Sequence, residues 1–164
     1  MKKILGIILI VISGQLTGQS IVGNYRDYFG NELYLKPDST FKHTWRFDLT
    51  SSWTSGKWFL NNDTLFLKKV LVYDTLVLDE TSPKLDSLVL SPDEVSGIIT
   101  ILEYDLSEGS SGGQNRQPIP EKLYFKNEKL YSIDKDGKLI TKNLKGFWTD
   151  KKYPPFYSKP KLKK

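Results

Sequence analysis

Thr40-Phe-Lys-His-Thr-Trp-Arg-Phe-Asp-Leu49 decides the fold class. Phe41, Trp45, Phe47 and Leu49 alternate with Lys42, Thr44, Arg46 and Asp48, and His43 falls in phase with the apolar set. A period of two puts successive side chains on opposite faces of a pleated strand, so this stretch has one apolar and one polar face. The same punctuation recurs on both sides of it. Upstream, Ile21–Arg26 and Asn31–Lys36 read as strands, and Pro37-Asp38-Ser39 as the turn before Thr40. Downstream, Ser51 to Gly56 reads as a turn region and Lys57–Leu60 as a resumed strand. Asn61-Asn62-Asp63 is a hairpin signal.

Further strands are expected at Thr64–Val72 and Tyr73–Leu78, Asp86–Leu90, Gly97–Tyr104, Lys122–Phe125, Lys129–Ile133 and Lys138–Asn143. β-Branched and aromatic residues dominate their apolar positions, as half-buried pleated surfaces favour. No window shows a sustained helical period with caps. The expected fold is all-β: a single antiparallel meander that closes into a barrel or stays an open one. Residues 21–150 form this domain. Ser107 to Pro120, rich in Gly and Ser, reads as a long mobile loop. From Lys151 onward, with Pro154, Pro155 and Pro160, a flexible, disordered tail is expected through residue 164.

Residues 1–20 read as a cleavable signal peptide helix. Lys2 and Lys3 precede the apolar run Ile4–Ile12, and Gly18 and Ser20 suit cleavage after Ser20. That run is nine residues, whereas a bilayer-spanning helix needs about 20. The mature chain is therefore expected in the periplasm or outside the cell, with no transmembrane segment. The chain has no cysteine, which excludes a lipid-modified N-terminal Cys, disulfides and thiolate chemistry.

Lys and Arg total 24 against 19 Asp and Glu. Six of the lysines fall in the last fourteen residues, and residues 21–150 hold 16 basic against 19 acidic groups. The basic character belongs to the leader and the tail. A nucleic-acid surface would need Lys and Arg interleaved with aromatics along the domain, so nucleic acid is not an expected partner.

Gly23-Asn24-Tyr25, Leu33-Tyr34-Leu35, Asp38, Phe41, Gly56-Lys57-Trp58 and Asn62-Asp63-Thr64-Leu65 resemble, in this order, the opening of small exported lipocalin-like β-barrel proteins. Leu123-Tyr124-Phe125, Lys129 to Ile133 and Asp136-Gly137-Lys138-Leu139 resemble the closing hairpins of the same group. Lipocalins proper carry Gly-x-Trp at the opening, where this chain has Tyr25. The resemblance implies a lipocalin-like barrel more than an activity.

His43, Trp45 and Trp58 are the candidate ligand-binding residues. A cavity for a small apolar ligand is apolar with a few placed polar groups, and these residues could form its wall. The plainer reading makes the tryptophans core and His43 a hydrogen-bonded structural histidine. Trp53, in a turn region among Ser and Thr, is the aromatic residue expected to be exposed. Glu103 and Asp105 share a face if their stretch is a strand. Asp134-Lys135-Asp136-Gly137 begins like a calcium loop, but its twelfth position is Lys145, so a hairpin turn is expected. No P-loop, dinucleotide fingerprint, nucleophile elbow or His-rich cluster is present. No catalytic residue, metal or cofactor is assigned. The expected role is a non-enzymatic exported barrel that binds a small apolar or amphipathic ligand. The alternative is an envelope-associated interaction protein that uses the Lys-rich tail and the Gly/Ser-rich loop.

Overall fold

The computed structural model describes residues 21–78 and 86–160, so the signal peptide expected at 1–20 lies outside the described residues. The alternating stretch forms strand β3 (Thr40–Phe47), flanked by β1 (Gly23–Arg26), β2 (Asn31–Leu35), β4 (Thr50–Asn61) and β5 (Thr64–Val70) in an antiparallel meander. After an excursion, the chain returns as β9 (Lys122–Lys126) and β10 (Lys129–Ser132), and β13 (Phe156–Ser158) completes the circuit. These eight strands make a closed antiparallel barrel in the order β1-β13-β10-β9-β5-β4-β3-β2. Closure leaves the barrel itself with no open sheet edge.

Two hairpin turns explain the tight register. Asn62-Asp63 joins β4 to β5 and Asn127-Glu128 joins β9 to β10, each with both residues at positive φ (45° and 59°, 51° and 58°). This is the geometry whose twist matches right-handed strands. Gly56 of β4 serves a different need. A Cβ there would stand 2.1 Å from the Lys68 carbonyl oxygen and 2.9 Å from the Phe41 ring, so only glycine allows this approach.

Inward-facing residues fill the barrel. Tyr25, Leu33, Leu35, Phe41, Trp58, Leu65, Leu67, Leu123, Leu130 and Tyr157 form one cluster, with Ile21 and Ile119 packed into it. Each fully buried leucine contributes about 1.5–3 kcal/mol relative to exposure. The Tyr25 hydroxyl donates to the Ile21 carbonyl at 2.7 Å, which satisfies the phenol inside the core.

Several expectations are corrected. Ser51 to Gly56 is not a turn but part of the twelve-residue β4, and Leu49 sits exposed in the turn that precedes it. Gly97–Tyr104 is not one strand. It divides into β8 (Ile98–Thr100) and helix α1 (Ile101–Glu108). Thr100 and Glu103 close a capping box at that point, satisfying N–H groups that a strand would have paired elsewhere. Lys138–Asn143 makes a single bridge, Ile133 to Leu139, rather than a strand.

The chain between β5 and β9 builds a lobe outside the barrel. In it β6 (Tyr73–Val77) pairs with β7 (Ser87–Leu90) and with β8. The Gly/Ser-rich segment expected to be mobile is pinned instead. The Ser51 and Trp53 N–H groups donate to the Ser111 and Gly113 carbonyls at 3.1 and 3.0 Å, and the Asn115 N–H donates to Trp53 O at 2.7 Å. β4 outlasts β5, and this segment takes up the backbone groups that β5 leaves. Buried Gln114 then ties lobe to barrel. Its amide nitrogen donates to the Val72 and Ser91 carbonyls and its amide oxygen accepts from the Val72 N–H.

The C-terminal stretch is corrected most. The disordered tail expected from Lys151 contains β12 (Lys152–Tyr153), paired with β11 (Leu144–Lys145), and then β13. β13 pairs with β10 along its length and with β1 at Arg26–Ser158. The barrel domain thus runs past residue 150 to Ser158. Trp53 is half-buried, its indole N–H donating to Pro92 O at 2.9 Å, while Trp148 is 94% exposed. Among the described residues, no helix is long and apolar enough to cross a membrane.

Candidate functional site

The Asp27–Gly30 connection, the turn after Phe47 and the chain from Ile140 to Pro155 gather around one end of the barrel. Asp27 shapes the first of these. Its carboxylate accepts the N–H groups of Phe29 and Asn31 at 2.8 and 2.9 Å and the Asn31 amide at 2.7 Å. This Asx-turn arrangement fixes the loop and aims Phe29 across the rim. Phe147, between β11 and β12, meets Phe29 edge-on at 5.7 Å and Phe47 at 4.3 Å. Phe47 packs on Trp45 at 6.3 Å, and Tyr28 stacks on Tyr153. The β11–β12 hairpin is therefore held to the barrel rim by aromatic contacts.

A cleft of about 280 Å³ opens here, lined by Asp27, Phe29, Asn31, Ser132, Ile140, Leu144, Pro155 and Tyr157. Tyr157 is a buried part of its wall. The ring is buried, and the hydroxyl lies 3.5 Å from His43 Nε2. His43 is 2% exposed and stands across from Leu33 on β2 and Thr54 on β4. Burial lowers its pKa to about 4, so the ring is neutral at physiological pH. Burial, reinforced by the Asp27 carboxylate, raises the Tyr157 pKa well above the usual phenol range, so its proton stays on. Among the described residues, the buried Thr54 hydroxyl has no hydrogen-bond partner. The arrangement is a cleft of mixed character, in which apolar Phe29, Ile140, Leu144 and Pro155 stand beside polar Asp27, Asn31 and Ser132, and Tyr157 connects its wall to neutral His43 in the barrel interior.

A larger groove, about 690 Å³, lies on the other side of the Tyr153–Phe156 segment and shares Asp27. It follows the β1–β13 seam, the barrel's sparsest pairing, and mixes Arg26 and Lys129 with Asp27 and Glu128. Lys129 Nζ already sits 4.3 Å over the Phe156 ring. This groove runs along the outer wall and does not reach the interior polar groups.

The three expected site residues are divided. His43 lies behind Tyr157. Trp45 is half-buried at the rim, in register with Asn31. Trp58 belongs to the opposite half of the barrel, where its indole N–H donates to Lys36 O at 3.0 Å. None of the three lines either cleft just described. Sequence reasoning missed Tyr157, Phe29 and Phe147. The available signal was Tyr153-Pro-Pro-Phe-Tyr157, since clustered aromatics are uncharacteristic of disordered segments.

Two other motifs have structural uses. Glu103 accepts from the Thr100 N–H and hydroxyl at the exposed start of α1, far in role from buried His43. Asp134 Oδ1 accepts the N–H groups of Asp136 and Lys138, which forms a turn with Gly137 at φ +80°. No protein-family model, curated protein or solved structure matches this chain.

Proposed function

We propose that the mature protein is an exported, lipocalin-like barrel that binds a small amphipathic molecule in the cleft at its mouth. The observation that carries this is Tyr157: it is a buried residue of the cleft wall, and its hydroxyl lies against neutral His43. Binding sites of this kind combine apolar walls with few, well-placed polar groups. The ligand's apolar part lies against Phe29, Ile140, Leu144 and Pro155. Its uncharged hydroxyl, carbonyl or amide reaches Tyr157. An anionic head is disfavoured, because the Asp27 carboxylate lines the cleft and His43 and Tyr157 supply no positive charge at neutral pH.

The reading is tested with 1-decanol and isotope-labelled mature protein. Amide shifts are expected at Phe29, Ser132, Leu144 and Tyr157, and Tyr157→Phe weakens binding about tenfold for one lost hydrogen bond. Shifts spread over the outer walls, or none, would refute the mouth as the site.

A further inference from the structure

Residues 71–108, the larger part of the excursion between β5 and β9, carry nine carboxylates and one lysine, a net −8, of which Glu94 pairs with Lys42 and Glu108 with Arg116. Residues 21–70 and 109–164 together carry 21 basic against 10 acidic groups. The protein is thus electrically polarised between an acidic lobe and a basic body.

The lobe also has an uncovered apolar face. Tyr73 pairs with Leu90, and Thr75 with both Leu88 and Ile98, so these side chains share one side of the three-stranded sheet. Asp74 and Leu76, on the opposite side, are buried. Leu88 and Ile98 are 72% and 77% exposed. Helix α1 buries no residue, and its Leu102 and Leu106, one turn apart, are exposed as well. Single exposed apolar residues are ordinary, but a contiguous set rimmed by charge marks an interaction surface.

The complementary surface is on the same molecule. Lys57 stands opposite Lys68, and Phe59 opposite Phe66, on the outer wall of β4 and β5. The two phenyl rings stack at 4.8 Å and 7°. Lys122 of β9 follows beside Phe66. This wall is aromatic and mainly basic, with Glu121 at its edge, where the lobe is mainly aliphatic and acidic. Phe59 and Leu88 are both exposed within one molecule, so the two surfaces do not satisfy each other in cis.

We propose that the acidic apolar lobe docks on the basic aromatic wall of a second copy of the chain. The contact is heterologous, joining two different surfaces. Charge complementarity steers the encounter, and the apolar faces supply the burial.

Sedimentation velocity of the full mature chain tests this. Mass should rise with protein concentration at low salt, and the rise should shrink as salt screens the charges. Leu88→Lys spoils the lobe and Lys68→Glu spoils the wall, and each alone should leave a monomer with unchanged thermal unfolding. Mixing the two variants should restore a one-to-one dimer, since each then contributes its intact half. A wild-type monomer at millimolar concentration in low salt overturns the proposal. So does association that neither substitution affects, or that mixing does not restore. A monomer whose lobe instead binds a cationic amphipathic peptide assigns the face to another partner and overturns it equally.

Discussion

His43 is held neutral inside the barrel, with a pKa lowered by burial to about 4 from an ordinary 6.5. The unfolded chain therefore binds a proton between these values that the folded chain refuses. Stability from this group is complete above about pH 6.5 and is lost as pH falls towards 4. Urea unfolding at pH 7 and pH 5 should differ by about 2 kcal/mol on its account. In His43→Gln that difference should largely vanish; an unchanged pH dependence would place the sensitivity elsewhere. The alternation through Phe41 and Trp45 made the inward direction of His43 legible. Its partner was not legible, because Tyr157 arrives from a strand more than a hundred residues away and pairing at that distance leaves no local pattern. Trp58 shows the reverse failure. It shares the inward phase, yet a barrel interior has two halves, and phase alone does not say which half a residue occupies.

At the scale of elements, alternation sufficed wherever strands had strong two-residue periods and sharp turns. β2, β3 and β5 begin within a residue of where the sequence places them. The errors came from segments whose structure depends on neighbours. The Ser51–Gly56 stretch looks like a turn by composition, but β3 on one side and the pinned Ser111–Asn115 segment on the other hold it extended. The Thr100-x-x-Glu103 box is present in the sequence, but the β-branched run Ile98-Ile99-Thr100-Ile101 carries a strand pattern across it. β13 is the most consequential case. Three residues amid prolines and lysines carry little strand signal, yet they fill the gap between β10 and β1. A chain ending at Asp150 should accordingly lose its closing strand and the buried Tyr157. We expect cooperative urea unfolding to be lost or weakened by at least about 3 kcal/mol, in line with removal of a large buried aromatic. Wild-type stability in that truncation would show that the barrel does not depend on β13.

The whole molecule combines a filled barrel, an aromatic-rimmed mouth and a lobe of opposite charge. An all-β fold was legible because its evidence is local and repeated. The mouth cleft was not, because it is assembled from segments far apart in the chain: Asp27 to Asn31, Ser132 to Leu144, and Pro155 with Tyr157. The charge polarity was hidden for a similar reason. Averaged over residues 21–150 the domain is only mildly acidic, and only its separation into lobe and body exposes the two signs.

The central claim concerns the mouth, and mass spectrometry of small molecules released from purified mature protein tests it most directly. The comparison is between wild type and Leu144→Lys, which places a charge on the cleft wall at a partly exposed position. The account predicts a small amphipathic compound released from wild type and absent from the variant. Equal recovery from both proteins, or no compound from wild type, would contradict it.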